Sequence, residues 1–592
     1  MTIRVGEVIA INGVKVTLKI DEESSKDTLF FKGERYKGIS IREYIAIQRG
    51  FRNIICLVEG EYLDESRVEG TGPKTSYVRK VEARPIGHFN GDVFEHGIKH
   101  LPMIKDSAYL LSERMVTAIY GRSSGNGFVI GRTLKEDVPI GLPWSKLFNS
   151  HIGIFGNTGS GKSNTLAKLY TVLFEKKSAS IGDRSSFVVM DFNGEYTGLQ
   201  LVPAELKAVY RLSTQAQGRD KFPLNNKEFW DTETLAILFQ ATTNTQKPFL
   251  TRLVDGRNTF PNPQALSNYA KTTFRAAFSA VKQRPEALDL LRKLSRVIQH
   301  DELVELLKEV TWHNGGGTFA KRRADYTYVY FNADGAEYDA HISPTVETID
   351  LAGLDPFDQL IVRAYIQLVR ELVQGFVQFD HIQPLVKRIE ASLTSLKKVL
   401  FVGEVDPPQK LVAVISLKQC NNESKKVLPL LLAKHYYYRH RNTVAHPPNS
   451  TLHLIIDEAH NILSHQSSRE HESWRDYRLE LFEEIVKEGR KFGAFLTVSS
   501  QRPADISPTI VSQLHNFFIH RLVNDRDLSL IDNTITTLDT LSRSLIPNLA
   551  QGCCVVTGTA FDLPMVLQVD RLDKPRQPDS EDVDLETLWS PI

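Results

Sequence analysis

Residues 151–164 read His151-Ile152-Gly153-Ile154-Phe155-Gly156-Asn157-Thr158-Gly159-Ser160-Gly161-Lys162-Ser163-Asn164, and this stretch decides the fold. A short apolar strand, His151 to Phe155, runs into a glycine-rich loop, and a helical pattern follows from about Ser163 to Lys176. Glycine lets the backbone curl so that successive N–H groups converge on one point. The helix that begins there turns its positive end toward the same point. At the G-x-x-x-x-G-K-[ST] spacing, Lys162 reaches β- and γ-phosphates and the Ser163 hydroxyl ligates Mg2+. A second apolar strand, Ser186 to Phe192, completes a strand–helix–strand unit. That unit requires a parallel sheet with its loops at the carboxyl edge, so the fold class is α/β.

Further along, Leu454-Ile455-Ile456-Asp457-Glu458 is an apolar strand ending in two carboxylates. An Asp ending a neighbouring strand can hold the magnesium, and the Glu after it can polarise the attacking water. Val498-Ser499-Ser500-Gln501-Arg502-Pro503 ends another strand in polar residues, and Gln501 is placed to sense the γ-phosphate or orient water. Lys487 to Lys491 puts cations where a helix should end. They either offset that helix's dipole or carry Arg490 to a neighbouring subunit's γ-phosphate. Asp191-Phe192-Asn193-Gly194-Glu195-Tyr196 leaves two readings open: Asp191 and Glu195 face the nucleotide, or they sit in a solvated turn.

The first segment reads as β, spanning roughly residues 1–140. Val8 to Ile11 and Val14 to Ile20 flank Asn12-Gly13, a favoured hairpin turn, with further strands at Ile54 to Glu59 and Tyr77 to Ala83. Residues 203–405 read mainly as helices, broken at Asn314 to Gly317. Sheet character returns over 406–573, and residues 574–592 form a Pro-rich, acidic arm.

At 592 residues the chain needs more than one domain. Its 72 basic and 71 acidic residues nearly cancel, so any nucleic-acid contact must rest on a local basic surface. Lys418, Lys425, Lys426 and the Lys321-Arg322-Arg323 cluster are candidates; charged, solvated loop surface is the competing reading. Cys56, Cys420, Cys553 and Cys554 form no C-x-x-C pair and read as reduced, buried thiols. No run of 18 apolar residues suggests a membrane span, and the cytoplasm is the expected compartment. His435, His440 and His446 lie in and beside an aromatic, basic stretch and read as a partly buried helix end, so no metal beyond Mg2+ is expected.

Taken together, IGRTL, HIGIFGNTGSGKSN, DFNGEY, LIIDEAH, EGRKFG and SSQRP resemble the HerA family of hexameric DNA translocases, relatives of FtsK. The resemblance covers the N-terminal barrel and both halves of the ATPase and leaves the helical insertion uncovered. It implies a RecA-like P-loop ATPase core (141–202 and 406–573) with an N-terminal β-barrel (1–140), a helical insertion (203–405) and a C-terminal arm (574–592). By the same resemblance, ATP is held by Gly156, Asn157, Thr158, Gly159, Ser160, Gly161, Lys162, Ser163 and Asn164. Ser163 and Asp457 hold Mg2+. Lys162, Glu458, Gln501 and Arg490 serve catalysis, Arg490 across the interface. The implied partners are double-stranded DNA, a homo-hexameric ring, and a co-encoded effector. The effector is sirtuin-like or a nuclease subunit in phage defence, the role the long insertion favours, or a NurA-like nuclease in end resection. Two rivals remain. A conjugative coupling or secretion ATPase shares the core, although those usually carry membrane helices. A ring scaffold would bind ATP as a regulator without translocating.

Overall fold

Apolar residues alternating with polar ones curl the first segment into a closed barrel. The computed structural model describes residues 3–21, 28–31, 33–67, 75–120, 127–134, 137–215, 220–323, 326–465, 472–580 and 585–589. Around the barrel the strands run Lys15–Ile20, Arg4–Asn12, Ser107–Leu110, Tyr44–Arg49, Arg52–Arg67 and Thr75–Asn90. The last pairs back to the first through Val16↔Ala83 and Lys19↔Lys80, so the ring has no free edge. Val8, Val16, Leu18, Ile47, Cys56 and Val81 fill its interior. The first hairpin differs from the expected Asn12-Gly13 turn by one residue. Asn12 pairs with Lys15, so Gly13 and Val14 form the loop. Gly13 takes φ +62°, which suits glycine at the first central position, and Val14 is left exposed.

A second, eleven-stranded sheet forms the core of the molecule. Seven parallel strands lie in the order Asn516–Ile519, Ile152–Phe155, Ala494–Ser500, Thr451–Ile456, Ser185–Asp191, Val412–Gln419 and Lys207–Ser213. Cys553–Gly558, Met565–Val569, Phe128–Thr133 and Pro139–Leu142 extend it antiparallel. The helix Lys162–Ile181 packs on one face through Leu166, Leu169, Tyr170 and Leu173, and further helices cover the other. Burial on both faces is why these strands read as continuous apolar runs.

Three of the sequence-based boundaries move. Phe128–Thr133 and Pro139–Leu142, assigned in part to the barrel, form the antiparallel edge of the core sheet, because Gly131 to Thr133 pair with Leu567 to Val569. Lys207–Ser213, placed in the insertion, is the opposite edge strand, paired with Val412–Gln419. The arm after residue 573 docks on its own core as far as Ser580. Gln200 Nε2 donates to the Gln577 carbonyl at 3.1 Å, and the Asp579 N–H to the Glu195 carbonyl at 3.0 Å. Among the described residues the four cysteines are buried and free, and no helix is long and apolar enough to cross a membrane.

The insertion is mixed rather than purely helical. Helices Pro263–Phe278, Pro285–Val297, Asp301–Lys308 and Pro356–Gln374 share their apolar faces with the core sheet's lower layer. Against them lies a small antiparallel sheet of Val310–His313, Thr318–Arg322 and Tyr328–Tyr330. Gln283 ties the two together. Its amide donates to the carbonyls of Phe278 (2.5 Å) and Phe331 (2.8 Å) and accepts from the Phe319 N–H (2.5 Å). Gln283→Ala strands those buried groups, each costing about 1–3 kcal/mol. Hydrogen exchange should show residues 318–331 losing protection while the barrel keeps its own; unchanged protection there would refute this account of the small sheet.

Candidate active site

Parallel strands end at a common edge, so the residues just past those ends meet. Ile152–Phe155 lies between Ala494–Ser500 and Asn516–Ile519, and Thr451–Ile456 is one strand further. The loop from Gly156, the Asp457-Glu458 pair and Gln501 therefore converge.

Three backbone bonds hold the loop. The Gly156 N–H donates to the Ser500 carbonyl at 3.2 Å, Asn157 N–H to Arg521 at 2.9 Å, and Gly552 N–H to Ser160 at 2.9 Å. The N–H groups of Thr158, Gly159 and Gly161 have no acceptor among the described residues. Such a run of unsatisfied amides is an anion nest. Gly161 has φ +106°, and a Cβ there would stand 2.9 Å from the Gly552 Cα.

Lys162 is only 5% exposed; its Nζ donates to Glu458 Oε1 at 3.2 Å and lies 3.8 Å from Asp457 Oδ1. Burial works against its charge, but Asp457, Glu458 and Glu195 hold it above the usual lysine range. Glu458 has φ +49°, a left-handed backbone costing about 1–3 kcal/mol in a non-glycine residue. Gln501 Nε2 donates to the same Glu458 oxygen at 2.9 Å, and the Thr158 hydroxyl bonds the Gln501 carbonyl oxygen. His460 Nδ1 lies 3.3 Å from Glu458 Oε2.

Asp457 is fully buried, and neither carboxylate oxygen has a well-formed hydrogen bond among the described residues. Burial pushes its carboxyl above the usual range, with Lys162 opposing. An orphaned buried carboxylate in a pocket that also holds the Ser163 hydroxyl, which lies against Glu195, fits a small divalent cation. Among the described residues no three His, Cys, Asp or Glu side chains form a cage. Mg2+ would therefore rest on Asp457, Ser163, phosphate and water, as that ion commonly does.

The open question over Asp191 and Glu195 resolves into two jobs. Asp191 is fully buried and accepts the N–H groups of Gly194 (2.7 Å), Glu195 (3.0 Å) and Tyr196 (2.9 Å). It shapes the turn. Glu195 points inward, its carboxyl pushed up to about 7 by burial and then by Asp457, with the Ser163 hydroxyl drawing it back. The Asn164 side chain is engaged away from the nest: its amide donates to the Asp570 carbonyl at 3.2 Å and accepts the Leu572 N–H at 3.3 Å. Arg490 is exposed in the Gly489–Phe492 turn before Ala494–Ser500, at the amino edge of the sheet near His151 and His515. Lys418 is exposed at the carboxyl end of Val412–Gln419, on the edge of the phosphate loop, whereas Lys321 and Arg322 lie in the small sheet. His435 pairs with Glu228 at 2.7 Å.

Sequence reasoning missed His520 and Gly552, which form the floor of the loop. A Cβ on Gly156 would meet the His520 Cβ at 2.5 Å. Burial lowers His520 to about 4, so a neutral ring lies under the nest. The available signal was a histidine directly ending the apolar run Phe517-Phe518-Ile519.

Gly161→Ala imposes left-handed strain of about 1–2 kcal/mol together with the backbone contact at Gly552. Titration with a fluorescent ATP analogue should give at least about tenfold weaker binding at a near-normal melting temperature. Wild-type affinity would mean that the nest does not hold the phosphates.

Residues 128–312 match the family described as the helicase HerA, central domain. The match runs well into the insertion, which the sequence-based resemblance had left uncovered. The chain is 25% identical over 473 residues to the DNA double-strand break repair helicase HerA of Pyrococcus furiosus, covering 78% of this chain and 72% of that one. It is 22% identical over 514 residues to the helicase of the same description from Sulfurisphaera tokodaii, covering 86% and 81%. VirB4 of Thermoanaerobacter pseudethanolicus superposes with a TM-score of 0.41 at 13% identity, over 77% of this chain and 100% of that one. The glycine nest, buried lysine and paired carboxylates described above thus belong to a chain that is similar to HerA helicases over most of its length and matches their central domain over residues 128–312.

Proposed function

We propose that the chain is an ATP-driven motor that moves double-stranded DNA through a homo-hexameric ring. The observation that carries this reading is the buried network joining Lys162, Asp457, Glu458 and Gln501 at the lip of the phosphate nest. In that network Lys162 neutralises Glu458. An incoming γ-phosphate draws Lys162 away and leaves Glu458 free to take a proton from the attacking water. Gln501 bridges Thr158 and Glu458, so it registers whether that exchange has occurred. Bound Mg2+ would neutralise charge on the β- and γ-oxygens.

Arg490 supports the ring. It precedes Ala494–Ser500, whose far end carries Gln501. A strand of that length spans roughly 20 Å, beyond the reach of one side chain. Any nucleotide Arg490 meets belongs to another subunit, as in a closed heterologous ring. Exposed Lys418, with Lys425 and Lys426 nearby, is on the nucleotide edge and suits salt-dependent contact with DNA phosphates. The names of the relatives favour DNA as the track. We extend the proposal to a cytoplasmic setting and to a co-encoded effector, a sirtuin-like or nuclease subunit in phage defence. That part rests on the resemblance alone, since the family match reaches into the insertion. Deleting the neighbouring reading frame should abolish phage resistance, and unchanged resistance rejects it.

Glu458→Gln should retain nucleotide binding and lose at least about 100-fold in phosphate release. Arg490→Ala should be similarly impaired as a pure ring. Mixing it with Lys162→Ala subunits should restore part of the DNA-stimulated activity, because intact nests then face intact arginines. No recovery, or a monomer by mass measurement with nucleotide present, refutes the ring. ATPase activity indifferent to duplex DNA refutes the motor.

A further inference from the structure

The insertion's small sheet buries one face and leaves the other uncovered. Val310, Phe319 and Val329 point inward onto Phe278 and Phe331. On the outer face the register sets Tyr330 opposite Ala320 and Tyr328 opposite Arg322. Tyr328 and Tyr330 are 44% and 38% exposed, and their ring centres lie 6.2 Å apart. His313 meets Tyr330 edge-on at 5.1 Å. Tyr326 is 73% exposed, with the Arg322 guanidinium 4.5 Å above its ring. None of the three tyrosine hydroxyls has a hydrogen-bond partner among the described residues. Arg323 is exposed next to them.

Exposed tyrosines in a row on a strand are costly unless they have a ligand with a flat π face. We propose that this face binds single-stranded nucleic acid, with bases stacking on Tyr326, Tyr328 and Tyr330 and phosphates meeting Arg322 and Arg323. Strand-borne aromatics on an antiparallel sheet stack unpaired bases in just this way, and guanidinium planes stack on bases while neutralising phosphate. A duplex hides its base faces, so it gains nothing from the rings. Arginines beside the rings favour a polyanion over an apolar protein surface. The site stands apart from the nucleotide pocket and does not depend on ATP hydrolysis.

The test is fluorescence anisotropy of the full chain with labelled oligo(dT) and with a duplex of equal length, at fixed salt. Tyr328→Ala with Tyr330→Ala should weaken oligo(dT) binding at least about tenfold and leave duplex binding and basal ATPase unchanged. Tyr328→Phe with Tyr330→Phe should bind as the wild type, because stacking needs the ring and not the hydroxyl. Arg322→Ala with Arg323→Ala should flatten the salt dependence of oligo(dT) binding. Photocrosslinking with a thiothymidine oligonucleotide should label the Thr318–Tyr330 region and guards against a folding artefact. Unchanged oligo(dT) affinity in the alanine variant overturns the proposal and leaves the face to a protein or to another copy of this chain. Equal loss for duplex and single strand, loss in the phenylalanine variant, or labelling elsewhere overturns it as well.

Discussion

A single lysine facing three buried carboxylates sets the terms for the rest of this structure. Each ion taken from water costs several kcal/mol after relaxation, and mutual attraction repays that cost only when charges match. Here they do not: Lys162 stands against Asp457, Glu458 and Glu195, and the pocket is short of positive charge. Burial first, and a neighbouring carboxylate after it, raise the Asp457 and Glu195 carboxyls. Under the proposed function, a triphosphate with its magnesium would bring a divalent cation to the carboxylates and an anion to the lysine and the amide nest. The left-handed backbone at Glu458 persists because its neighbours hold it: Ala459 N–H to the Ser499 carbonyl at 2.8 Å and Asp457 N–H to the Met190 carbonyl at 3.1 Å.

Much of this was legible from spacing. The glycine positions, the lysine–serine pair and the two acids closing an apolar strand each constrain local geometry strongly, and the sheet brings them together as residue order implies. The failures had a different origin. Strands such as Phe128–Thr133 and Lys207–Ser213 lie at sheet edges and have ordinary local sequences; their sheet is decided by partners hundreds of residues away or on the far side of a helix. The inward aim of Glu195 depends on Asp191 capping three amides, a turn that sequence alone could equally place in water. His520 depends on Asn516–Ile519, a strand that no motif marks, pairing beside the strand that leads into the phosphate loop. Local rules recover positions that carry their own geometry, and miss those whose role is to support another segment.

Both peripheral regions are tied to the core. The phosphate loop's floor, Gly552, is followed by Cys553–Gly558, and the edge it begins continues through Met565–Val569 to Phe128–Thr133. The chain leaving the barrel therefore enters the same layer that supports the nest. On the other side, Lys207 holds the segment after Glu195, its Nζ donating to the Tyr196 carbonyl at 3.2 Å and the Gly198 carbonyl at 2.8 Å. Lys207 opens the strand that leads into the insertion. The segment shaping the inward carboxylate and the path to the insertion are thus one hydrogen-bonded unit.

The strand Ala494–Ser500 gives the proposed ring a means of coupling its sites. Every residue in it is buried, and it is bonded on both sides by parallel neighbours, so it moves as a rod rather than by stretching. Arg490 stands before one end and Gln501 after the other. In a ring, a γ-phosphate gripped by Arg490 belongs to the adjacent subunit, while Gln501 touches the subunit's own Glu458 and Thr158. Displacement at the arginine end would appear at the glutamine end, where a shift of about an ångström breaks the 2.9 Å hydrogen bond to Glu458. Sequential firing around such a ring needs no separate relay, because the rod connecting two nucleotide sites is already part of the sheet.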